Sequence, residues 1–526
     1  MTTISRRTFL QSAAAVGAGA ALFNLTGPTV QGQVVGANNR VRMALAGCGG
    51  RGRGVANDNF ARMEGVQFVA VVDANRNQTT QAANLLYENH NHRPAVFQDY
   101  RLMLEDNSID AVLIASTNHW HALQTVWGCM AGKHIYVEKP GSYNIFESRQ
   151  VINAAAKYNR RVQLGTQRRS DNDWTRCAAA AKSGKYGKLI AAKAFANRGR
   201  GRFRQSNIIP PPEHLDWEQW LGPAQPMPFY ENLLNGNDTG SGNWHWFWEP
   251  GNGEIGNNGP HFFDLCLWGM DEPRNPDSVV SFGARIQNDN GNIIGDQAQT
   301  PSVHFAFYEF GDVPVIFESC NVDSGNRDVW TRREETEFFT EAGSIRGQYF
   351  IAHDGTRERI DVEFTRPNPN NISGPEFVNF INAVRDPSVP LNAPVDKGIY
   401  CANMAHWGNA AYRSGTRTTL ATCREKIGNN PIMQSTIDGV LANLRAAFGN
   451  DVDLETAIPW QCSDRLEIDI VNERFTNSRA GNQFLKRIPR EPFVMPEVSA
   501  SQQDTERPIR RVIQRLRHRL RSRRLL

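Results

Sequence analysis

Three short groups of residues carry types and spacings that could do chemistry. The first is Gly47-Cys48-Gly49-Gly50-Arg51-Gly52, which reads G-x-G-x-x-G directly after the apolar run Val41–Ala46. Gly47 permits a tight turn, Gly49 lets backbone approach a phosphate, and Gly52 lets the following helix pack closely on the strand. With Gly50 and Arg51 at the helix start, this is a cradle for the pyrophosphate of a dinucleotide. Asp73 follows Gly47 by 26 residues, at the end of the next valine-rich run. A carboxylate there accepts ribose hydroxyls and repels a 2′-phosphate, which favours NAD over NADP; Arg76, three residues on, softens that preference.

The second group is Glu138-Lys139-Pro140, at the C-terminal end of a further short apolar run. Open α/β sheets place ligands at such ends. An ammonium there can stabilise a developing alkoxide and relay a proton. The plain alternative is a surface Lys139–Glu138 pair, worth only about 0–1 kcal/mol. The third group is Asn257-Asn258-Gly259-Pro260-His261. Pro260 suits a first helical turn, and histidine is the side chain best matched to proton transfer near neutral pH. The alternative is a histidine that caps or packs a helix start. Between these groups lies Trp244-His245-Trp246-Phe247-Trp248. It reads equally as a sugar-stacking wall, with His245 and Trp246 as substrate contacts, or as core. His90 and His92 sit in a polar stretch without a third ligand, so no metal is expected.

These groups need a scaffold. From Val41 to Gly165, apolar runs at 41–46, 66–73, 111–115, 134–137 and 162–165 alternate with helical patterns at 77–87, 121–131 and 145–158. Near-continuous apolar strands separated by helices imply a parallel sheet covered on both faces with right-handed crossovers. After Trp174 the pattern changes. A helix ends near Gly184, a strand is expected at 189–197, and a Gly-, Arg-, Pro- and Trp-rich loop runs to about Gly259. Strands follow at 302–310, 314–320, 335–340 and 347–353, with helices at 375–385, 398–413 and 433–448. Helices beside an antiparallel sheet predict an α+β second domain. The expected organisation is 1–39 signal and linker, 40–165 Rossmann domain, 166–496 substrate-binding α+β domain, and 497–526 basic tail.

With Ser116-Thr117-Asn118-His119-Trp120-His121 following the third run, the order G-x-G-x-x-G, N-H-x-H, E-K-P resembles the glucose–fructose oxidoreductase and inositol dehydrogenase (Gfo/Idh/MocA) family, over roughly residues 40 to 496. The resemblance implies an α/β Rossmann domain and a mainly antiparallel, open-faced sheet that commonly packs subunit on subunit, so a homo-oligomer is expected. It implies NAD contacts at Thr117, Asn118, His121, Glu138 and Lys139, and catalysis by Lys139 and His261. Many relatives carry an aspartate four residues before this histidine, where the present chain has Asn257. An amide orients the ring without stabilising its cation as a carboxylate does. The base is therefore His261, Lys139 or both, with Asn257 also facing substrate.

Composition sets the remaining bounds. The 526 residues carry a net charge of +4, yet Arg507–Leu526 alone holds nine arginines, so the body has no nucleic-acid signature. That tail reads as solvated chain or as an amphipathic helix able to rest on a membrane surface. Eight scattered cysteines read as buried free thiols rather than zinc ligands or a disulfide framework. Ser5-Arg6-Arg7-Thr8-Phe9-Leu10 before the apolar stretch 13–23 reads as a twin-arginine export signal, which predicts a periplasmic protein. An exported enzyme cannot draw on the cytoplasmic NAD pool, so its cofactor must stay bound and return to its starting state. Two reaction classes satisfy this: oxidation of a CH–OH group on a sugar or cyclitol followed by reduction of a second substrate, or a glycosidase or lyase that oxidises its substrate transiently with no net redox. A non-catalytic cofactor-binding module is the third reading.

Overall fold

The valine-, alanine- and isoleucine-rich segments of the N-terminal half form six parallel strands. They are β1 (Val41–Ala46), β2 (Val66–Val72), β3 (Ala95–Phe97), β4 (Ala111–Ile114), β5 (His134–Glu138) and β6 (Val162–Gly165), in the order β3-β2-β1-β4-β5-β6. This order reverses between β1 and β4, and the crevice at such a switch point is where a dinucleotide lies. The computed structural model describes residues 40–499 apart from 200–202, 204, 236–241, 323 and 325–332. The twin-arginine segment and the arginine-rich tail expected from the sequence lie outside the described residues.

Helix α1 (Gly50–Asp58) leaves the glycine turn, α2 (Arg76–His90) follows β2, α3 (Asn118–Met130) follows β4 and α4 (Ile145–Lys157) follows β5. The side chain of Asn75 caps α2 by accepting from the amides of Asn77 and Gln78. Every residue of α3 is buried, because a later part of the chain covers its outer face. There Phe493 meets Trp120 edge-on with centroids 5.4 Å apart. The amide of Val498 donates to Gln150 on α4. A helix at Pro375–Arg385 places Phe377 and Phe380 in one cluster with Phe60 and Tyr136. The first domain thus completes its core with residues far beyond its last strand.

The second sheet runs in the order Arg357–Arg359, Tyr349–Ala352, Gly343–Arg346, Arg333–Thr340, Leu189–Asn197, Val315–Cys320, Val303–Glu309, Ser278–Ala284, Gln461–Cys462, Thr416–Arg417. It is antiparallel except between Leu189–Asn197 and Val315–Cys320, which run parallel. One face carries helices Asn172–Ser183, Gly259–Met270 and Tyr400–Ser414, packed on Ala192, Ala194, Phe317 and Phe338.

The opposite face differs from the open face expected. Over Ser278–Ala284, Val303–Glu309 and Val315–Cys320, helices Leu420–Ile427 and Pro431–Phe448, together with Trp460 just before the strand Gln461–Cys462, bury Phe282, Phe305, Phe307 and Ile316 beneath Ile437, Leu441 and Leu444. Each such side chain removed from water contributes roughly 1.5–3 kcal/mol, which accounts for this cap. Beyond the cap, that face carries charged pairs gathered over the Phe195 ring. Lys193 pairs with Glu318 at 2.6 Å and Arg346 with Glu335 at 2.6 Å.

Candidate active site

Gly47 turns the chain at φ +89°, and a Cβ there would stand 2.3 Å from the amide nitrogen of Ser116. Only glycine fits that turn. A Cβ on Gly52 would lie 2.0 Å from the carbonyl oxygen of Gly47, so this residue sets how closely α1 approaches β1. Gly49 and Gly50 are the opposite case: a Cβ on either meets nothing within 4 Å. They line a cavity of about 790 Å³ that is also lined by Asp73, Thr117, Asn118, His121, Glu138, Lys139, His245 and Asn257. No side chain caps α1 at Gly49, leaving the positive end of the helix to whatever sits there. This glycine cradle fits a pyrophosphate.

Asp73 holds the turn in shape. Its Oδ2 accepts from the Cys48 amide and its Oδ1 from the Asn75 amide, each at 2.8 Å. Burial pushes its carboxyl up, against those two hydrogen bonds and the nearby charge of Arg53. Arg76 faces elsewhere: its Nη2 donates to the Glu213 carbonyl at 2.7 Å and its amide to the His214 carbonyl at 2.9 Å. The Asp216 amide donates to Ala74 at 3.0 Å, and Asn75 pairs with Leu215. The described part of the long loop, residues 205–235, therefore crosses onto the Rossmann domain as a strap. Ile209, Pro212, His214, Trp220 and Phe229 complete the cavity wall.

Glu138 and Lys139 part company at the end of β5. Glu138 turns to Arg51, whose Nε and Nη2 donate to Oε1 at 2.9 and 2.6 Å. Lys139 donates from Nζ to Oδ1 of Asn257 at 3.0 Å, across the two domains. Asn257 ends the short helix Gly253–Asn257, and His261 begins the next, Gly259–Met270, with Pro260 in its first turn. Phe262 and Phe263 anchor that helix: both are fully buried, with Phe263 5.3 Å from Phe317. Arg169 clamps it through Asp264 at 2.8 Å, and Arg168 lies over the Phe262 ring.

His261 is partly exposed and lies one turn past Asn257 and Asn258, which line the cavity. Burial, then the charges of Lys139, Arg168, Arg51 and Arg198, hold its imidazole well below its ordinary pKa. It is neutral at neutral pH. Its Nδ1 and the Nδ2 of Asn257 are buried with no hydrogen-bond partner, unusual for groups whose isolation costs about 1–3 kcal/mol each. His121 donates from Nε2 to the Ser116 carbonyl at 2.9 Å, and burial lowers it to about 4. The Nδ2 of Asn118 meets Oδ1 of Asn252 at 3.3 Å, a second bridge between the domains.

Three residues named from the sequence are not among those lining the cavity: His261, Trp246 and Gly52. Trp246 is 3% exposed and packs with Phe203 and Phe247, while its neighbour Trp244 lines the cavity. Gly52 serves packing alone. Arg198, Asn258 and the strap residues line the cavity without having been picked out. The strap had only its Pro-rich composition as a signal, and Arg198 only its place after a strand. Among the described residues, no group of three His, Cys, Asp or Glu could hold a metal ion, and no helix is long and apolar enough to cross a membrane.

A parallel sheet in this order, with a glycine cradle at its switch point, is the arrangement of a dinucleotide-binding domain, and a second domain with a mixed sheet supplies the facing wall. Residues 41–166 match the model of the oxidoreductase family with NAD-binding Rossmann fold (GFO_IDH_MocA), and this part of the chain is such a domain. Residues 3–23 match the twin-arginine translocation signal sequence, which directs export by that route. The chain is 26% identical over 212 residues to a "Glycosyl hydrolase family 109 protein" of Shewanella baltica and to an "Alpha-N-acetylgalactosaminidase" of Shewanella oneidensis. Each match covers 37% of this chain and 46% of the relative, so the chain spans about half the length of the curated relatives it matches. Solved structures with a similar course include an NAD-binding protein from Listeria innocua (15% identity, TM-score 0.47, 70% of this chain and 93% of that one). Another is the WlbA dehydrogenase of Bordetella pertussis in complex with NADH and UDP-GlcNAcA (16%, 0.46, 70% and 96%).

Proposed function

We propose that the protein is an exported, NAD-dependent oxidoreductase acting on a CH–OH group of a sugar or cyclitol, with Lys139 and His261 as its catalytic pair. The observation that carries this reading is the Lys139–Asn257 contact of 3.0 Å, which joins the two domains on the wall of the cavity that begins at the glycine cradle. Gly47, Gly49, Gly50, Arg51 and Asp73 hold the cofactor, with Thr117, Asn118, His121 and Glu138 along its length. When bound there, the nicotinamide supplies hydride acceptance and return. Lys139 faces the hydroxyl oxygen and stabilises charge developing on it. Neutral His261 takes the hydroxyl proton, and Asn257 holds Lys139 in place. His245 and Trp244, whose rings lie 3.7 Å apart, present an aromatic and polar wall to a sugar.

The strap supports retention of the cofactor outside the cytoplasm, and a periplasmic location follows from the export signal. A homo-oligomer is part of the same reading. A second reading, cleavage of a glycosidic bond through transient oxidation, is favoured by the names of the matched Shewanella relatives. One experiment separates the two. The purified protein is assayed for retained nicotinamide and offered a panel of free sugars, cyclitols and chromogenic glycosides. Stoichiometric reduction of retained cofactor by a free sugar supports the oxidoreductase. Release of the chromophore without net reduction supports cleavage, and a preparation that binds no nicotinamide and turns over neither class refutes both.

A further inference from the structure

Three of the eight cysteines, Cys320, Cys423 and Cys462, share the apolar cluster beneath the helical cap, and two of these lie on segments that run side by side. Cys423 lies one turn into the helix Leu420–Ile427 and Cys462 on the edge strand Gln461–Cys462; they are 0% and 1% exposed in the same apolar cluster. The backbone brings them into register. The Thr418 amide donates to the Trp460 carbonyl at 3.0 Å, and Lys426, one turn after Cys423, pairs with Asp464 at 2.8 Å, two residues past Cys462. The helix thus lies along the strand, and Cys423 and Cys462 fall between these two ties within one apolar cluster. Export carries the chain out of a reducing compartment into one where disulfides persist.

We propose that Cys423 and Cys462 form a disulfide after export, closing a loop around the helical cap. The 38 residues between them include Pro431–Phe448 and Trp460, so one bond would staple the cap to the sheet. The Lys426 ammonium, tied to Asp464 beside the pair, favours a thiolate there, and Cys462 on the strand is the attacking sulfur. The oxidant is a disulfide-bearing thiol donor. The Cys462 thiolate attacks one donor sulfur and displaces the other as a thiol. Cys423 then gives up its proton and attacks the Cys462 sulfur, displacing the first donor sulfur. Two electrons pass to the donor, which leaves as a dithiol carrying the two protons.

The test is a thiol map of the full-length chain. It is recovered from the exported fraction and, as a control, from an Arg6→Lys, Arg7→Lys variant retained in the cytoplasm. Both are alkylated under denaturing, non-reducing conditions and digested. The expected result is a linked peptide holding Cys423 and Cys462 in exported chain, six alkylated cysteines there, and eight in the retained chain. Eight alkylated cysteines in the exported chain overturn the proposal. In a second measurement, the reduced holoprotein is titrated with oxidised glutathione. Wild type is expected to lose two thiols as an intramolecular bond, and Cys423→Ala none. Loss at other cysteines, or no loss from wild type, overturns it as well. Should Cys423→Ala fail to fold, the peptide map alone decides.

Discussion

Lys139 is the side chain on which the proposed chemistry turns, and its surroundings separate its role from that of Glu138. Arg51 takes Glu138, and the guanidinium is about half exposed, so that pair contributes little. Lys139 is held instead by a buried amide, a charge-assisted bond worth about 1.5–3 kcal/mol. Replacing it by methionine keeps the length and removes the charge. Lys139→Met is expected to lower kcat/KM by roughly 10²–10⁴ while leaving retained nicotinamide unchanged, as absorbance of the purified protein will show. Asn257 offers a sharper test, because it stands where a carboxylate would raise the His261 pKa. His261 is now depressed by burial and four cations, so it stays deprotonated well into the acid range. Asn257→Asp adds an anion that favours the imidazolium. The acid limb of the pH–rate profile is expected to move to higher pH in this variant, with rates at alkaline pH little changed; an acid limb that does not move would show that His261 is not the base.

At the scale of elements, the glycine turn separates folding from binding. Gly52→Ala forces a methyl group against a carbonyl 2.0 Å away and should destabilise the domain by more than 1 kcal/mol, read as a lower Tm in cofactor-free protein. Gly49→Ala adds the same methyl group where nothing lies within 4 Å, at a φ of −67° that alanine accepts. It should leave that Tm alone and weaken nicotinamide retention at least tenfold. The strap can be loosened from the other side. Arg76→Ala removes one bond to the Glu213 carbonyl, and at about 1 kcal/mol it should speed nicotinamide release roughly fivefold in a displacement assay. These elements differ in how readable they were. Five of the six parallel strands and the helix at Pro375–Arg385 were legible because their apolar patterns are local. Ala95–Phe97 carries too few residues for a pattern, and Ser278–Ala284, buried on both faces, shows none of the alternation that marks a strand. The glycine motif and E-K-P were contiguous and therefore visible. The strap, Arg198 and the approach of Cys423 to Cys462 were not, since each depends on segments that meet only in the folded chain. Trp246 shows the converse: an aromatic cluster named its neighbourhood correctly, but only packing decides which ring faces the cavity.

For the whole molecule, the half-capped sheet matters beyond its own stability. The apolar strands that could have met another copy are already occupied by helices Leu420–Ile427 and Pro431–Phe448. What remains outward holds two ion pairs, Lys193 with Glu318 and Arg346 with Glu335, set around Phe195. Two molecules joined across this face would cohere through ions more than through oil, and added salt would ease them apart as its ions shield those pairs. A sheet bare from edge to edge would behave the other way, clinging harder as the salt rose.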